Sequence, residues 1–501
     1  MATANIPPLM PPAIVTSLVV YLAAICTYRL FFHPLSRFPG PRLAAVTDVY
    51  AAWYEVVKKG EIVHELDRLH KDYGPIVWIG PGKLHFNTPK AFDDIYRSPK
   101  LIKPGSFYDA FQMRQSCFGF SDPRLAKERR EIIGPLFSRK AVLRLEDVVQ
   151  DVVDRLVSEL SKYPSNDTVN LRHGLMAASL EVITTYCFAK EYHALEYPAF
   201  KHPVIPALES VSMHVLYFAM MYLPFLEKIV FGMPEWLAKR LGAGSGDMQD
   251  LFGAIVKQVD EVLNDPLAVE RAEHEIIYHH LLSAGTVEKG GKPPSRQSLI
   301  GEASSMIEAG TETIANACTV ACFYILRSPD IERRLRDELI GAWSEAHMPL
   351  ERLEKLPYLT AVIKEGLRLS HGVVTPIPRQ AHDGVVIDGV GIPSGTIVTM
   401  GHTFMHLSPE LFEDPLVFNP ERWLTGDAQD KHIVSFSRGP RVCLGVNLAW
   451  AELYLILGNL FRKVQMELPE DRPERLEYHE LFTPHYKGDP LQVHIRKLAD
   501  Q

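Results

Sequence analysis

The segment around Cys443 constrains the fold of this chain more than any other part of the sequence. It reads Phe436-Ser-Arg-Gly-Pro-Arg-Val-Cys-Leu-Gly445, and an apolar stretch from Val446 to Leu460 follows it. Two glycines indicate a tight turn, and the apolar stretch indicates a helix. The cysteine would then lie just before a helix N-terminus, where the helix dipole favours a thiolate. A lone cysteine is more often a buried structural residue, but the surrounding aromatic, glycine and arginine positions favour a metal-binding thiolate.

A thiolate that is held at a helix N-terminus and shielded from water is a suitable axial ligand for haem iron. The segment resembles the haem-binding signature Phe-x-x-Gly-x-Arg-x-Cys-x-Gly of the cytochrome P450 family, and every defining position is filled. The resemblance implies haem b (iron protoporphyrin IX) as the cofactor. It also implies Cys443 as the iron ligand, Arg441 as a partner of a haem propionate, and Phe436 and Gly445 as cofactor-binding residues.

Composition favours one large folded unit over several domains. The chain has 501 residues, 47% of them hydrophobic and 23% charged, and no long Ser/Gly linker or charge block interrupts its interior. The net charge of −8 gives no support to nucleic-acid binding, which needs a basic excess or patch. The six cysteines are scattered, unlike those of a disulfide scaffold, which indicates a reduced environment. We expect one catalytic domain over residues 43–501.

The N-terminal segment differs from this body. No charged side chain precedes Arg29, and residues 14–32 are nearly all apolar. At about 1.5 Å per helical residue this run reaches the thickness of a bilayer core. Positive charges follow it and none precedes it, which disfavours a cleaved signal peptide and places the body on the cytoplasmic side. The sequence thus predicts a short lumenal stretch (1–13), a transmembrane anchor (14–32) and an extended proline-rich hinge (33–42). The hinge resembles those of microsomal P450s, which implies a single-pass endoplasmic reticulum protein.

Helical periodicity dominates the body. The helical stretches are 126–137, 143–160, 251–263, 298–326, 330–346 and 359–369. Two clusters of short strands are expected over 74–87 and 381–400, where Gly and Pro separate Val- and Ile-rich runs. The prediction is a mainly α protein with a minor β-sheet region, which is the fold that the P450 resemblance implies.

A polar segment lies within the longest helical pattern. Ala309-Gly-Thr-Glu-Thr313 has apolar flanks, and glycine and threonine weaken a helix, which favours local opening for a ligand and water. Oxygen activation at haem consumes two protons, which an acid beside an alcohol can deliver. The segment resembles the family's Ala/Gly-Gly-x-Asp/Glu-Thr motif. That resemblance implies Thr313 as the hydroxyl beside the oxygen site and Glu312 as the proton source, with Ile314 in place of the usual second Ser or Thr.

One carboxylate and two arginines form a further set. Glu365 and Arg368 lie three residues apart on one helical face, and Arg422 follows in Pro420-Glu-Arg-Trp423. Two guanidinium groups around one carboxylate make a satisfied buried network that fixes geometry. The residues resemble the family's Glu-x-x-Arg and Pro-Glu-Arg-Phe motifs, with Trp423 in place of Phe. The resemblance implies a structural triad behind the haem.

Other candidates follow from their positions. Arg130 and Arg379 are candidates for binding the haem propionates, and exposed salt-bridging arginines are the alternative. Relatives often carry Trp or His where Ala126 stands, and that side chain donates to a haem propionate. Because alanine cannot donate, we expect Arg130 to provide more of the propionate binding here. We expect a mostly apolar substrate pocket that suits a terpenoid, polyketide or similar lipophilic secondary metabolite. Its candidate residues are Phe111, Met113, Phe118, Ile307, Ala309, Val373, Val374 and Pro484.

The implied reaction inserts one oxygen atom from O2 into a lipophilic small molecule. It needs two electrons, and the chain has no complete Gly-x-Gly-x-x-Gly and no spare length for a flavin domain. A separate NADPH–cytochrome P450 reductase is therefore the expected partner. Four residues are candidates for a basic face that docks this flavoprotein: Lys127, Arg129, Lys140 and Arg438. The alternative is that they form only a solvated helix face. Phe137-Ser-Arg and the hinge most resemble fungal secondary-metabolism monooxygenases.

The residues leave other functions open. A haem-thiolate isomerase or dehydratase would need no reductase, and the intact Glu312-Thr313 pair argues against it. A non-catalytic membrane haem-binding protein would not need that pair either. A structural Cys443 in a fold without haem is the remaining alternative.

Overall fold

The computed structural model describes residues 12–241, 243–265, 267–283, 293–343, 348–471 and 473–496. It shows a mainly helical body with small sheets, preceded by an exposed N-terminal helix. The α-helices of eight or more residues are α1 Pro12–Thr27, α2 Ile62–Tyr73, α3 Pro89–Arg97, α4 Pro123–Ile133, α5 Glu146–Ser161, α6 Leu171–Phe188, α7 Val211–Tyr222, α8 Phe225–Gly232, α9 Ala243–Asn264, α10 Arg296–Arg327, α11 Pro329–Ala342, α12 Pro357–Ser370 and α13 Val446–Lys463.

Shorter helices connect these elements. They are Arg42–Val46, Val49–Ala52, Gly105–Tyr108, Arg139–Arg144, Val204–Leu208, Glu235–Leu241, Leu267–Glu270, Ile277–Leu282, Leu350–Leu353 and His402–His406. The strands are β1 Ile76–Gly80, β2 Lys83–Phe86, β3 Leu101–Ile102, β4 Thr168–Asn170, β5 Arg379–Ala381, β6 Val385–Ile387, β7 Val390–Ile392, β8 Ile397–Thr399, β9 Gln465–Glu467, β10 Tyr478–Leu481, β11 Thr483–Tyr486 and β12 Gln492–Arg496.

The largest sheet has the strand order β1-β2-β8-β5-β3. Strands β2 and β8 run parallel with Lys83 opposite Ile397, whereas the other pairs are antiparallel. A second sheet has the order β4-β12-β9, and β6-β7 and β10-β11 form separate hairpins. The β10-β11 hairpin lies against α10 and α7, so its tip can reach the interior of the body.

Helix α10 runs through the centre of the protein. It packs against α6, α12, α9 and α13, and most of its residues are buried on every side, as in the interior of a large domain. Gly310 permits the closest approach, because a Cβ atom there would lie 2.6 Å from Cγ1 of Ile183 on α6. The contact between these two helices therefore sets the position of the polar segment that follows Ala309.

The expected mainly α fold with a minor sheet is confirmed, and each helical stretch is found. The stretch 126–137 divides, because α4 ends at Ile133 and a 3-10 helix covers Gly134–Phe137. The stretch 143–160 divides at Leu145, between the short helix Arg139–Arg144 and α5. Helix α11 ends at Ala342, and the end of the stretch at 344–346 lies outside the described residues. Helix α10 continues regularly through Thr313, so the expected local opening is wrong.

The N-terminal helix projects away from the body. Residues Ala13–Phe32 have a mean hydropathy of 1.8 and none of the span is buried, so the span has the length and composition to cross a membrane. Arg29, near its end, donates a hydrogen bond to the carbonyl of Val46. The apolar stretch Pro198–Tyr222 passes the same test, but half of it is buried in the body. Residues 1–11 of the expected lumenal stretch lie outside the described residues.

The hinge is not extended, which corrects that part of the prediction. It turns, with the N–H of Ser36 donating to the carbonyl of His33 at 2.8 Å. Leu35 and Phe38 are buried beneath the largest sheet. Apolar side chains between the prolines bring this segment onto the body, because their burial outweighs the preference of prolines for an extended chain.

Candidate active site

A cavity of about 1820 Å³, counting its open mouth, lies beside the middle of α10. The side chain of Cys443 opens into it from one side, and Glu312 and Thr313 of α10 line it from another. The other predicted cofactor-binding residues that line it are Phe436, Arg441, Gly445, Arg130 and Arg379. Residues from four widely separated parts of the sequence thus meet in one space.

Main-chain contacts hold the segment that carries Cys443. The N–H of Cys443 donates to the carbonyl of Phe436 at 2.9 Å, which closes the loop. Gly439 has φ +69°, and a Cβ atom there would lie 2.4 Å from the carbonyl oxygen of Tyr96, so the turn presses against the end of α3. Helix α13 begins directly after Gly445. The sulfur is therefore fixed by backbone geometry, as an axial ligand must be.

Burial raises the pKa of the Cys443 thiol, whereas the N–H of Gly445 and the charge of Arg130 act in the opposite direction. Burial is the largest of these effects, so the neutral thiol is favoured when no metal ion is bound. A bound metal ion stabilises a thiolate directly, which suits the residue to ligation.

Four cationic side chains line the same cavity: Lys103, Arg130, Arg379 and Arg441. None of them forms an ion pair with a carboxylate in the described part of the chain. Burial, together with the charges of Arg379 and Arg441, holds the pKa of Lys103 well below its ordinary value. An uncompensated cluster of this kind needs an anion. It fits the two carboxylates of a haem, so the residues present fit the group that the Cys443 segment suggests.

Neutral groups position three of these cations. Arg379 donates to the hydroxyl of Tyr108 at 2.8 Å, and Arg441 donates to the carbonyl of Phe120 at 2.6 Å. Lys103 donates to the carbonyl of Phe118 at 2.6 Å. Because these acceptors carry no formal charge, the positive charges stay available to an anion in the cavity.

The acid and the alcohol of α10 have different partners. The hydroxyl of Thr313 donates to the carbonyl of Ala309 at 2.8 Å, one turn back. Glu312 is buried, and its Oε2 accepts a 2.6 Å hydrogen bond from the hydroxyl of Thr483. Burial raises the pKa of Glu312 to about 7, which places its proton exchange near neutral pH. The carboxyl can therefore both hold and release a proton at physiological pH.

The structure also brings Glu365, Arg368 and Arg422 together. Arg368 donates to both carboxylate oxygens of Glu365, at 2.7 and 2.8 Å, and Arg422 donates to Oε1 at 3.2 Å. Trp423, noted in the sequence only as a substituted aromatic, donates its indole N–H to Oε2 at 2.9 Å. Glu365 and Arg368 are fully buried. The carboxylate is thus paired on both oxygens, and the network ties α12 to the loop before Trp423.

Five of the eight predicted substrate-pocket residues line the cavity: Phe111, Met113, Phe118, Ala309 and Val373. The other three predictions are wrong for this cavity. Ile307 is on the side of α10 that packs in the main core, and Val374 is buried with its N–H bonded to the carbonyl of Phe482. Pro484 lies in β11, and its neighbours Phe482 and Thr483 line the cavity instead.

Sequence reasoning missed several residues that line the cavity: Lys103, Tyr108, His214, Glu308 and Phe482. Glu308 stands one helical turn before Glu312, a spacing that marks the same helix face and was available in the sequence. The other four lie on elements that no motif connects to the Cys443 segment. Only the tertiary fold brings them near it.

The predicted basic docking face is wrong for Arg129. Its guanidinium is buried and donates to Glu302 at 2.7 Å and to Ser298 at 3.0 Å, which ties α4 to α10. Arg438 is mostly buried and pairs with Asp93. Lys127 and Lys140 are exposed, so only these two retain the surface position that docking requires.

A cysteine that opens into a cavity lined by unpaired cations, facing an acid and an alcohol on a buried helix, defines a haem-thiolate oxygenase. The family profile described as "Cytochrome P450" matches residues 41–491. The chain belongs to the cytochrome P450 family and is an oxidoreductase of the monooxygenase type.

Its relatives are fungal enzymes. Cytochrome P450 monooxygenase flvC of Aspergillus flavus is 33% identical, with 97% of this chain and 96% of the relative aligned. N-acetyltryptophan 6-hydroxylase ivoC of Emericella nidulans is 33% identical, with 93% of each chain aligned. Conidiogenone synthase PchP450 of Penicillium rubens is 32% identical, with 95% of this chain and 97% of the relative aligned. One name gives a substrate, N-acetyltryptophan, another gives a product, conidiogenone, and the third gives neither, so the similarity shows a reaction class and not one substrate.

Proposed function

We propose that this protein is a membrane-anchored P450 that inserts one oxygen atom from O2 into a lipophilic secondary metabolite. Electrons would come from NADPH through a separate reductase at the cytoplasmic face of the endoplasmic reticulum. One observation carries the proposal: Cys443 opens into the same cavity that Glu312 and Thr313 line. The haem, when bound, supplies the site where O2 is reduced and the oxygen atom is transferred.

The chain's own residues have separate tasks in this reaction. Cys443 would hold the iron, and Lys103, Arg130, Arg379 and Arg441 would bind the propionates. Reducing O2 with two electrons and two protons leaves one oxygen atom for the substrate and one in water. Glu312 would pass protons from its buried carboxyl to the hydroxyl of Thr313, and that hydroxyl would donate them at the oxygen site. Each role is a proposal that rests on position in the cavity.

The cavity supports an apolar substrate. Aromatic side chains form one wall, and their rings contact each other: the ring centroid of Phe111 lies 5.0 Å from that of Phe482. Tyr217 packs against Phe111, with 5.2 Å between ring centroids. Such a wall excludes water and binds apolar surface, with a few polar groups to orient the ligand. The exposed apolar span Ala13–Phe32 supports delivery of a lipophilic substrate at a membrane.

The spectrum of the CO-bound ferrous protein tests the proposal. We expect a thiolate-type Soret band for the wild type and its loss in Cys443→Ser, with Cys318→Ser as the matched control because Cys318 is buried in the core. Absence of the band in the wild type would overturn the haem-thiolate assignment.

Incubation with a panel of lipophilic metabolites under ¹⁸O2 tests turnover. We expect one ¹⁸O atom in the product, with NADPH and added reductase both required. Conversion without a reductase would indicate an isomerase or dehydratase instead. A haem-binding protein that does not turn over would show the thiolate-type band but would convert no compound of the panel. It would also consume no NADPH when substrate is left out.

A further inference from the structure

Three lone-pair donors on separate elements meet at the edge of the cavity. They are His214 of α7, Glu312 of α10 and His485 of β11, all buried. One ligand atom of each lies within 4.8 Å of those of the other two. The two imidazole rings are 4.0 Å apart between centroids.

The hydrogen bonds around this cluster fix which atoms face inward. Nδ1 of His214 lies 3.1 Å from the carbonyl of Ser210, and Nδ1 of His485 lies 3.3 Å from the carbonyl of Glu209. A carbonyl only accepts, so each Nδ1 carries the proton and each Nε2 keeps its lone pair. Carbonyls that accept a hydrogen bond from the far nitrogen of the ring orient the imidazoles of metal sites.

When Glu312 is ionised, the inward atoms have no donor among themselves. Oε2 of Glu312 is engaged by Thr483, while Oε1 of Glu312 and Nε2 of His485 are buried without a partner in the described part of the chain. With Glu312 ionised, three acceptors converge in a buried space and cannot satisfy one another. A cation between them would satisfy all three.

Two imidazole nitrogens and one carboxylate oxygen are a ligand set for Zn²⁺, with a fourth position open to water. Tetrahedral coordination at about 2.0–2.1 Å places ligand atoms about 3.4 Å apart, so small side-chain rotations would complete the site. We propose that His214, Glu312 and His485 form an inhibitory Zn²⁺ site at the edge of the substrate cavity.

A separate polar pocket offers a route for the ion. This pocket, of about 400 Å³ counting open solvent, is lined by His485, Glu209, His173 and Arg172 among others. The positive charge of Arg172 would repel a metal ion in this pocket. Glu209 offsets that charge, because its carboxylate accepts a 3.0 Å hydrogen bond from Arg172. His485 thus borders both this open pocket and the cluster, so we place the entry of Zn²⁺ on this side.

Occupation of the site would stop turnover. A carboxylate that ligates Zn²⁺ cannot carry a proton to Thr313, so metal binding and proton delivery compete for Glu312. This consequence rests on the proposed function, whereas the binding of the ion does not.

Metal analysis of the haem-loaded full chain tests the site. After equilibrium dialysis against buffered Zn²⁺, we expect one Zn²⁺ per haem in the wild type and none in His214→Ala/His485→Ala. Glu312→Gln keeps the shape of the side chain, and we expect at least ten-fold weaker binding. His382→Ala, an exposed histidine on a surface turn, should retain the ion. X-ray absorption at the zinc edge should show two nitrogen ligands from imidazole. Equal zinc content in the wild type and the double variant would overturn the proposal.

A kinetic experiment tests inhibition. We expect Zn²⁺ to slow wild-type product formation at least ten-fold, reversibly with a chelator. The residual turnover of His485→Ala should not respond. Equal inhibition of both would place the effect on the reductase and overturn the inhibitory role. Binding of one Zn²⁺ by a protein without a thiolate-type Soret band would refute the proposed function and leave the metal site intact. A thiolate-type Soret band in a protein that binds no Zn²⁺ would refute the metal site alone.

Discussion

Thr313 and Thr319 make the same local contact in different surroundings. Each donates its hydroxyl to the carbonyl four residues earlier, at 2.8 Å for Thr313 and 2.7 Å for Thr319. Only Thr313 lines the cavity, whereas Thr319 is buried between helices. Substituting each in turn therefore tests the proposed role of Thr313 in proton delivery apart from the contact that both make within the helix.

We predict that Thr313→Ala lowers product formation per NADPH by roughly 100-fold, because a positioned proton donor contributes about that much. The CO-bound ferrous spectrum should stay that of the wild type, and reduced oxygen should appear as hydrogen peroxide. Thr319→Ala is the control and should keep its coupling of NADPH to product. Wild-type coupling in Thr313→Ala would remove Thr313 from the reaction.

At the scale of elements, the Glu365 network joins α12 to the loop that ends at Trp423. Arg368 also donates to the carbonyls of His406 and Val417, at 2.9 and 3.0 Å. We predict that Arg368→Ala lowers the free energy of unfolding by about 3–5 kcal/mol, because it leaves a buried carboxylate short of a partner.

The matched control lies on the same helix. Lys364 pairs with Asp430 at 2.7 Å, and that carboxylate is partly exposed. Lys364→Ala should cost less than about 1 kcal/mol. Urea unfolding followed by circular dichroism compares the two variants, and equal losses would contradict a special role for the buried network.

A buried carboxyl also links the segment Trp53–Val57 to the end of α7. The hydroxyl of Tyr222 donates to Glu55, and burial raises the pKa of Glu55 from 4.5 to about 7. The folded protein therefore holds a proton that the unfolded chain releases between these values. The stability that this proton contributes is complete below pH 4.5 and is lost as the pH rises through 7.

We predict that Glu55→Gln flattens the pH dependence of stability between pH 4.5 and 7, by at most about 3 kcal/mol. Urea midpoints measured across this range give the slope. Glu61→Gln, at an exposed position nearby, should follow the wild type. A Glu55→Gln slope equal to that of the wild type would show that the Glu55 proton does not differ between the folded and unfolded states.

The elements that the sequence predicted are those with local signals. Periodicity located α10 and α12, and contiguous motifs located Cys443 and the pair Glu312-Thr313. His214 and Phe482 escaped because each lies on an element whose own pattern indicates only burial. Arg129 and Arg130 show where local signals stop. On α4, Arg129 pairs with buried Glu302, whereas the adjacent Arg130 lines the cavity. The helix period alone does not say which of the two faces which partner.

At the scale of the whole molecule, the N-terminal span is exposed and contacts the packed body near its end, where Arg29 bonds to Val46. We predict that removing residues 1–32 moves the protein from the membrane fraction to the soluble fraction and preserves the thiolate-type Soret band. Sedimentation of microsomes and the CO-bound spectrum measure both. A second exposed apolar patch contains Phe225, Ile229 and Trp236. If the truncated protein still sediments with membranes, the span is not the sole anchor, and this patch is the next segment to change.

The two sides of the cavity are built in different ways. Main-chain contacts fix the side that carries Cys443, including the approach of Gly439 to the carbonyl of Tyr96. The opposite side consists of side chains from α7, α10 and the turn between β10 and β11. Substitutions on this second side can reshape the cavity without displacing the sulfur. The residues that would contact the substrate are therefore separate from those that hold the reactive centre. Specificity can be engineered, or can diverge among relatives, while the reactive centre stays unchanged.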